Sequence, residues 1–264
     1  MASHPQISIV MPCFQQAAFL EEAVRSVLDQ RGVEAELIVM DPGSTDGCRE
    51  LLQKLKSEYG ELLVLHFAPD GGQSDAINKG MAMARGNVLG WLNSDDRLRP
   101  GSLRIAARLD CSEPCWLYGR GGIIDERGSC ISRPIVWYKN WRGRTFSVYK
   151  LLTEDFIPQM ATFWNRALWD KAGGLDIKRQ LDMDYDLFLR FAMITAPEVI
   201  TEYLGDFRVH SNTKSSQQTD AHLHAAMLTA KHYSSLFGPR GKLAFLLHRV
   251  FSLRTRLIYR LIKP

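Results

Sequence analysis

Asp95 and Asp96 stand side by side in Val88–Gly101, VLGWLNSDDRLRPG. Adjacent carboxylates repel unless a cation sits beside them. A divalent ion, Mg²⁺ or Mn²⁺, held by one or two carboxylates and the phosphate oxygens of a substrate answers that repulsion. A helix cap ahead of Pro100 and Gly101 is the structural alternative. A second acidic cluster, Asp182, Asp184 and Asp186 in QLDMDYDLFLRF, reads either as the solvated start of a helix or as the home of a general base. In MDPGSTDG, Asp41 ends an apolar run, where its carboxylate can accept the imide N–H of a uracil or thymine ring; the same stretch also makes a good turn. PDGGQSDAINKG sets a glycine pair before a helix, a natural seat for phosphate oxygens. There Asp75, Asn78 and Lys79 share a polar side that can touch diphosphate or ribose, or simply face water. The stretch is neither a dinucleotide fingerprint nor a P-loop, because GxGxxG and GK[ST] are both missing.

These groups need elements that aim them at one place. The first ninety residues alternate between two periods. ISIVMPCF, ELIVMD, LLVLHF and NVLGWLN read as strands, and AFLEEAVRSVLDQ, STDGCRELLQKLKSEYG and SDAINKGMAMARG as helices, the last closed by Gly86. Repeated β-α-β order predicts a parallel sheet with helices on both faces, and ligands beyond the carboxyl ends of its strands. The polar residues collect at those ends. Further on, WLYGRGGIIDERGSCIS reads as two strands around an Asp125–Gly128 turn, and PIVWYKNWRGRTF as an aromatic and basic loop.

At 264 residues the chain suits one sizeable α/β domain with a small appendage. The opening residues lack a secretory pattern, and no apolar stretch is long enough to cross a membrane. Five scattered cysteines suggest free thiols in a reducing, cytoplasmic setting. The net charge of +4 is uneven: residues 1–220 hold 25 Lys and Arg against 29 Asp and Glu, and after Asp220 there are eight basic residues and no acidic one. Nothing here points to nucleic acid.

The order and wording of these pieces resemble the family-2 glycosyltransferases, an inverting group with the GT-A fold. ISIVMPCFQQAAFLEEAVRSVLDQ is similar to the family's opening strand and helix, DPGSTDG to its D-G-G-S-T-D-G turn and WLNSDD to its variant of the D-x-D metal motif. IPQMATFWNRALWDKAGGLD with DMDYDLFLRF resembles a bacterial, polysaccharide-type branch. The resemblance implies a Rossmann-like mixed sheet, with residues 1–110 binding nucleotide, 111–220 binding acceptor and 221–264 forming a tail. Pro12, Phe14 and Asp41 would line the base and ribose pocket, with Asp75, Asn78 and Asn93 also on the donor side. Asp95 and Asp96 would bind metal and ribose, and Asp184 would be the catalytic base. Arg208, His210 and Lys214 would sit on a mobile loop over the diphosphate, His210 serving as a third metal ligand. Trp137, Trp141, Gln159 and Trp164 are expected on the acceptor side. Pro42 replaces a second acidic residue and Met183 the glutamate beside the base.

The implied reaction moves a sugar from a UDP- or dTDP-sugar to a hydroxyl of a glycan or lipid-linked glycan. Charge developing on the leaving diphosphate calls for a metal and nearby cations. A single displacement needs one base and inverts the anomeric centre. A pyrophosphorylase would instead place a basic, Gly-rich loop after the first strand, where this chain reads PCFQQAAF. A binding module without catalysis would not need Asp184. The tail, GKLAFLLHRVFSLRTRLIYRLIKP, spaces apolar residues helically with arginines between, which suits a helix lying on the anionic inner face of a cell membrane. Packing on the body or in a homodimer is the other use of that face.

Overall fold

A computed structural model describes residues 5–109, 112–211, 213 and 218–262. Its centre is one eight-stranded sheet. The strands are β1 (Ile7–Pro12), β2 (Ala35–Asp41), β3 (Leu63–Phe67), β4 (Val88–Trp91), β5 (Arg97–Leu98), β6 (Trp116–Ile124), β7 (Thr162–Asn165) and β8 (Glu198–Arg208). Their spatial order is β3-β2-β1-β4-β7-β6-β8-β5. As the alternation predicts, β1 runs parallel to β2 and β4, and β2 to β3. β7 is antiparallel to β4 and β6, while β8 returns parallel to β6 and antiparallel to β5.

The crossovers α1 (Ala17–Leu28), α2 (Cys48–Tyr59) and α3 (Gln73–Met83) divide between the faces. On one face Leu20, Val24 and Leu52 meet Ile9, Leu37 and Val39. On the other Ile77 and Met81 meet Val10, Ile38 and Trp91. Each fully buried leucine or isoleucine contributes roughly 1.5–3 kcal/mol. α4 is Ser102–Ala106, α5 Arg133–Arg142, α6 Val148–Thr153, α7 Arg166–Ala172, α8 Met183–Ile194, α9 Thr219–Ser234 and α10 Gly238–Ile262.

Three local expectations change. PIVWYKNWRGRTF is a helix rather than a loop over most of its length; Pro134 in the first turn of α5 supplies a fixed φ where a free N–H is not needed. The residues after the Asp125–Gly128 turn make a single bridge, Ile124 to Cys130, instead of a strand, because β8 already holds that edge of β6. Gly86 does not close α3, which ends at Met83. It is glycine because a Cβ there would stand 2.7 Å from the Ile7 carbonyl carbon and the Ser8 nitrogen of β1.

The tail helix α10 packs on the body through Ala244 and His248, which are buried. His248 Nδ1 lies 3.1 Å from the Leu152 carbonyl, and Arg254 reaches Glu154 at 2.7 Å and the Tyr138 hydroxyl at 3.0 Å. Leu243, Leu246, Leu247, Val250 and Leu253 remain exposed along the same helix. Among the described residues, no helix is long and apolar enough to cross a membrane.

Candidate active site

The turn after β4 is held from below. Buried Asp96 accepts the Arg208 backbone N–H at 2.8 Å and an amide N–H of Asn93 at 3.2 Å, while Asn93 accepts from Gln73 at 2.8 Å. Burial first, then the charge of Asp95, pushes the Asp96 carboxyl well above the usual carboxylate range. Asp95 is half-buried and meets His210, its Oδ2 lying 3.0 Å from Nε2. A carboxylate oxygen and an imidazole nitrogen so close form a donor pair that suits Mn²⁺ or Mg²⁺, with Asp96 directly behind. Arg208 differs from expectation. It ends β8 and is buried. Its guanidinium donates to the carbonyls of Asp95, Asp125 and Glu126, pairs with Glu22 and lies over Phe19. These partners leave it clamping the aspartate turn, not riding a mobile loop. Lys214 lies outside the described residues.

Asp41 ends β2 almost fully buried. Its Oδ1 accepts the backbone N–H groups of Gly43 and Ser44 at 2.7 and 2.8 Å and sits 3.4 Å from Arg49 Nε. Its Oδ2 is buried with no hydrogen-bond partner among the described residues. A buried oxygen left in that state costs roughly 1–3 kcal/mol until a donor arrives, and the imide N–H of a pyrimidine is such a donor. Pro12 is half-buried at the end of β1 and Phe14 is exposed beyond it. The Gln15 N–H, bonded to Ser44 Oγ at 3.0 Å, joins this loop to the Asp41 turn. Asp41 also shares a buried triad with Cys13 and Cys48 whose ligand atoms lie within 4.8 Å of one another. The Cys48 thiol beside it, then burial, pushes the Cys13 thiol far above its ordinary value, while the Cys13 thiol draws that of Cys48 down.

At the start of α3, Gly72 adopts φ +108°, and a Cβ there would meet the Gln180 side chain at 3.0 Å. Asp75 accepts the Gly71 N–H at 2.8 Å and pairs with Lys79 at 2.7 Å, so it organises this turn. Asn78 is not free for a donor. Both ends of its amide bond the backbone of Leu175, at 2.8 and 2.9 Å, which ties α3 to the loop before α8.

The acidic triplet separates cleanly. Asp182 bonds Arg179 at 2.9 Å and Thr229; Asp186 bonds Arg190 and Tyr233, each at 3.0 Å. Asp184, in the first turn of α8, is half-buried, and its recorded bond is to the Tyr185 N–H at 2.9 Å. Burial raises its carboxyl above the ordinary value, against the pull of that N–H and of His222. Sequence reasoning misses Asp155. Burial and then the charge of Asp184 push its carboxyl up to about 7, and its Oδ1 is buried with no hydrogen-bond partner among the described residues. The signal was weak: EDFIPQ gives one more loop carboxylate, and only the fold brings it to α8.

The acceptor-side expectations split. Trp137 and Trp141 are exposed on α5, stacked on each other at 6.3 Å. Trp164 is fully buried instead, stacked on Trp169 and edge-on to Trp91, because β7 is an interior strand. Gln159 donates to the Trp91 carbonyl at 2.8 Å, fastening the segment before β7 to the end of β4.

Comparison with known proteins places the chain among relatives. The chondroitin synthase of Pasteurella multocida is 26% identical over 219 residues, 82% of this chain but 22% of that protein, so the chain spans about a fifth of its length. A PGL/p-HBAD biosynthesis glycosyltransferase of Mycobacterium tuberculosis is 30% identical over 202 residues, 76% of this chain and 74% of the relative. Among solved structures, S. aureus TarS 1–349 superposes with a TM-score of 0.65 at 15% identity over 94% of this chain and 72% of TarS. The Pyrobaculum calidifontis mannosyltransferase PcManGT, in complex with GDP-Man and Mn²⁺, gives 0.66 at 17% identity over 97% and 76%. These neighbours share the GT-A fold, and "Glycosyl transferase family 2" matches residues 8–170. The chain therefore belongs to glycosyl transferase family 2.

Proposed function

We propose that the chain transfers a sugar with inversion from a UDP- or dTDP-linked donor to a hydroxyl of a glycan or lipid-linked glycan. One observation carries the reading: among the described residues no arginine or tyrosine side chain bonds the Asp184 carboxylate, unlike those of Asp182 and Asp186, and its charge acts on a second carboxylate, Asp155. Asp184 takes the proton of the acceptor hydroxyl as that oxygen attacks the anomeric carbon. The bond from that carbon to the diphosphate oxygen breaks on the opposite face, and its electron pair leaves with the nucleotide. Asp41 Oδ2 accepts the pyrimidine N–H, with Pro12 and Phe14 beside the base. Asp95 and His210, backed by Asp96, are the residues that would hold Mg²⁺ or Mn²⁺, which when bound offsets the charge of the departing diphosphate. Asn93 and Arg208 keep that turn in shape.

A sugar-nucleotide panel with Mn²⁺ and a mixed acceptor pool tests this. Wild type is expected to release nucleotide and form a product of inverted anomeric configuration. Asp184→Asn is expected to lose a hundredfold or more in kcat while binding nucleotide. Retained configuration, or full activity in the variant, refutes the reading.

The exposed leucines of α10 favour attachment to an anionic membrane surface, since Lys242 and Arg249 flank them and no carboxylate follows Asp220. Flotation with anionic vesicles at low salt is expected to carry the full chain. Failure to float, with a dimer in solution, assigns the face to a second copy.

A further inference from the structure

α5 buries none of its residues, although it carries two tryptophans. Trp137 and Trp141 are 67% and 52% exposed, and their indoles lie nearly parallel, 12° apart. They form one wall of a cavity of about 430 Å³, to which Arg99, Arg120, Arg133 and Arg144 contribute and no aspartate or glutamate does. That volume lies within the roughly 300–1,000 Å³ typical of small-molecule sites.

The four cations are not equivalent. Arg99 is held by Asp206 at 2.8 and 2.9 Å and lies 5.0 Å over the Tyr203 ring. Arg120 sits 5.9 Å from the same ring. For Arg120, Arg133 and Arg144 no carboxylate partner occurs among the described residues. Uncompensated guanidinium groups around a concave wall focus positive potential into it. Their planar donor fork fits the paired oxygens of a carboxylate or phosphate. Indole faces beside them match the C–H face of a sugar ring.

The wall of the cavity is anchored on β6. Asn140, another of its wall residues, bonds the backbone N–H and carbonyl of Gly121 in β6, at 3.2 and 3.1 Å. Arg120, Asn140 and Arg144 also line a smaller pocket that reaches Lys139, Phe156 and Pro158. Phe156 follows Asp155 in the chain, and the Asp155 carboxyl feels the charge of Lys139.

We propose that this cavity anchors the acceptor and selects a negatively charged one: a sugar ring that bears a carboxylate or is linked to a phosphate. The inference rests on the transfer reading above and names its acceptor class.

The test uses three soluble probes of matched size: a neutral trisaccharide, the same trisaccharide ending in glucuronate, and an octyl-diphospho-sugar. Calorimetry on the full chain is expected to show at least one anionic probe binding tenfold or more tighter than the neutral one, with the margin shrinking in high salt. The tighter of the two anionic probes identifies whether carboxylate or phosphate is read. Arg133→Gln with Arg144→Gln, both at exposed positions outside the core, is expected to erase the preference and raise acceptor KM about tenfold. Trp137→Ala is expected to weaken every probe without changing their ranking. Equal affinity for all three probes, or a preference that survives the double variant, overturns the proposal. UDP binding with Mn²⁺, measured on the same wild-type sample, separates the two levels of failure. Nucleotide bound without charge preference refutes only the acceptor class, whereas no nucleotide bound refutes the transfer reading and the inference with it.

Discussion

Glu36 and Asp41 belong to the same strand, β2, and both are buried, yet their surroundings are opposite. Glu36, near the strand's start, accepts from Ser8 Oγ at 2.6 Å, from the Arg85 backbone N–H at 2.7 Å and from the Arg85 guanidinium at 2.6 Å. Ser8 Oγ in turn accepts the Gly86 N–H at 2.8 Å, so this corner is closed on itself. Asp41, at the strand's end, keeps one oxygen without any protein donor. Asp155 repeats the pattern across the sheet, with a buried Oδ1 and a neighbouring carboxylate for company. Glu36 is finished by the fold, as is Asp206 of β8, which Arg97 and Arg99 complete. Asp41 and Asp155 are left for something that arrives later.

If that contrast is sound, Glu36→Ala is a stability variant. It leaves Ser8 Oγ and the Arg85 N–H without their buried acceptor and should cost about 1–3 kcal/mol in urea unfolding. Nucleotide affinity of the folded fraction should stay unchanged. Asp41→Asn should do the reverse: UDP affinity falling roughly tenfold or more, as the loss of a charged hydrogen bond worth about 1.5–3 kcal/mol gives, with the unfolding midpoint nearly fixed. Should Asp41→Asn unfold the protein as Glu36→Ala does, the contrast breaks.

Asp155→Asn sharpens it with the smallest effect. Folding raises this carboxyl from 3.8 to about 7, so the native state holds the proton more tightly than the unfolded chain does. Stability therefore declines as pH rises through that interval. The asparagine variant should match wild type at pH 4 and hold a higher Tm at pH 8, the gain building up between pH 4 and 7. Removing the Asp155 charge should also ease ionisation of Asp184 and move the acid limb of the kcat profile to lower pH. An unmoved limb would mean that the two carboxylates do not share their titration.

Residues whose role is set by their own segment were legible in the sequence. The alternation of Ile7–Trp91 foretells the parallel half of the sheet, because every strand there is followed by the helix that covers it. Asp41, Asp95 and Asp184 stand out because each sits where a strand or helix must present it. Arg208, Asn78, Gln159 and Trp164 take partners that their own segments do not announce. Their partners, the Asp95 carbonyl, the Leu175 backbone, the Trp91 carbonyl and the Trp169 ring, are fixed by how distant segments meet. Asp155 was missed for the same cause, since its effect depends on Asp184.

The grip of α10 on Leu152, Glu154 and Tyr138 has a consequence for how the molecule is made. Synthesis proceeds at about 5–20 residues per second, and amino-terminal regions begin folding first. The strands that carry Asp41 and the Asp95–Asp96 turn can pair as soon as β1–β4 have emerged, needing only β7 to cover their edge. The segment carrying Asp155 has no such independence, because the side chains that fasten its flanks, His248 and Arg254, are translated about a hundred residues later. A ribosome-stalled chain ending before Gly238 should already protect the nucleotide side from protease, while the stretch around Glu154 is still cut. The sheet edge that carries Asp41 and Asp95 is thus in place on the ribosome before the segment of Asp155 is fastened down.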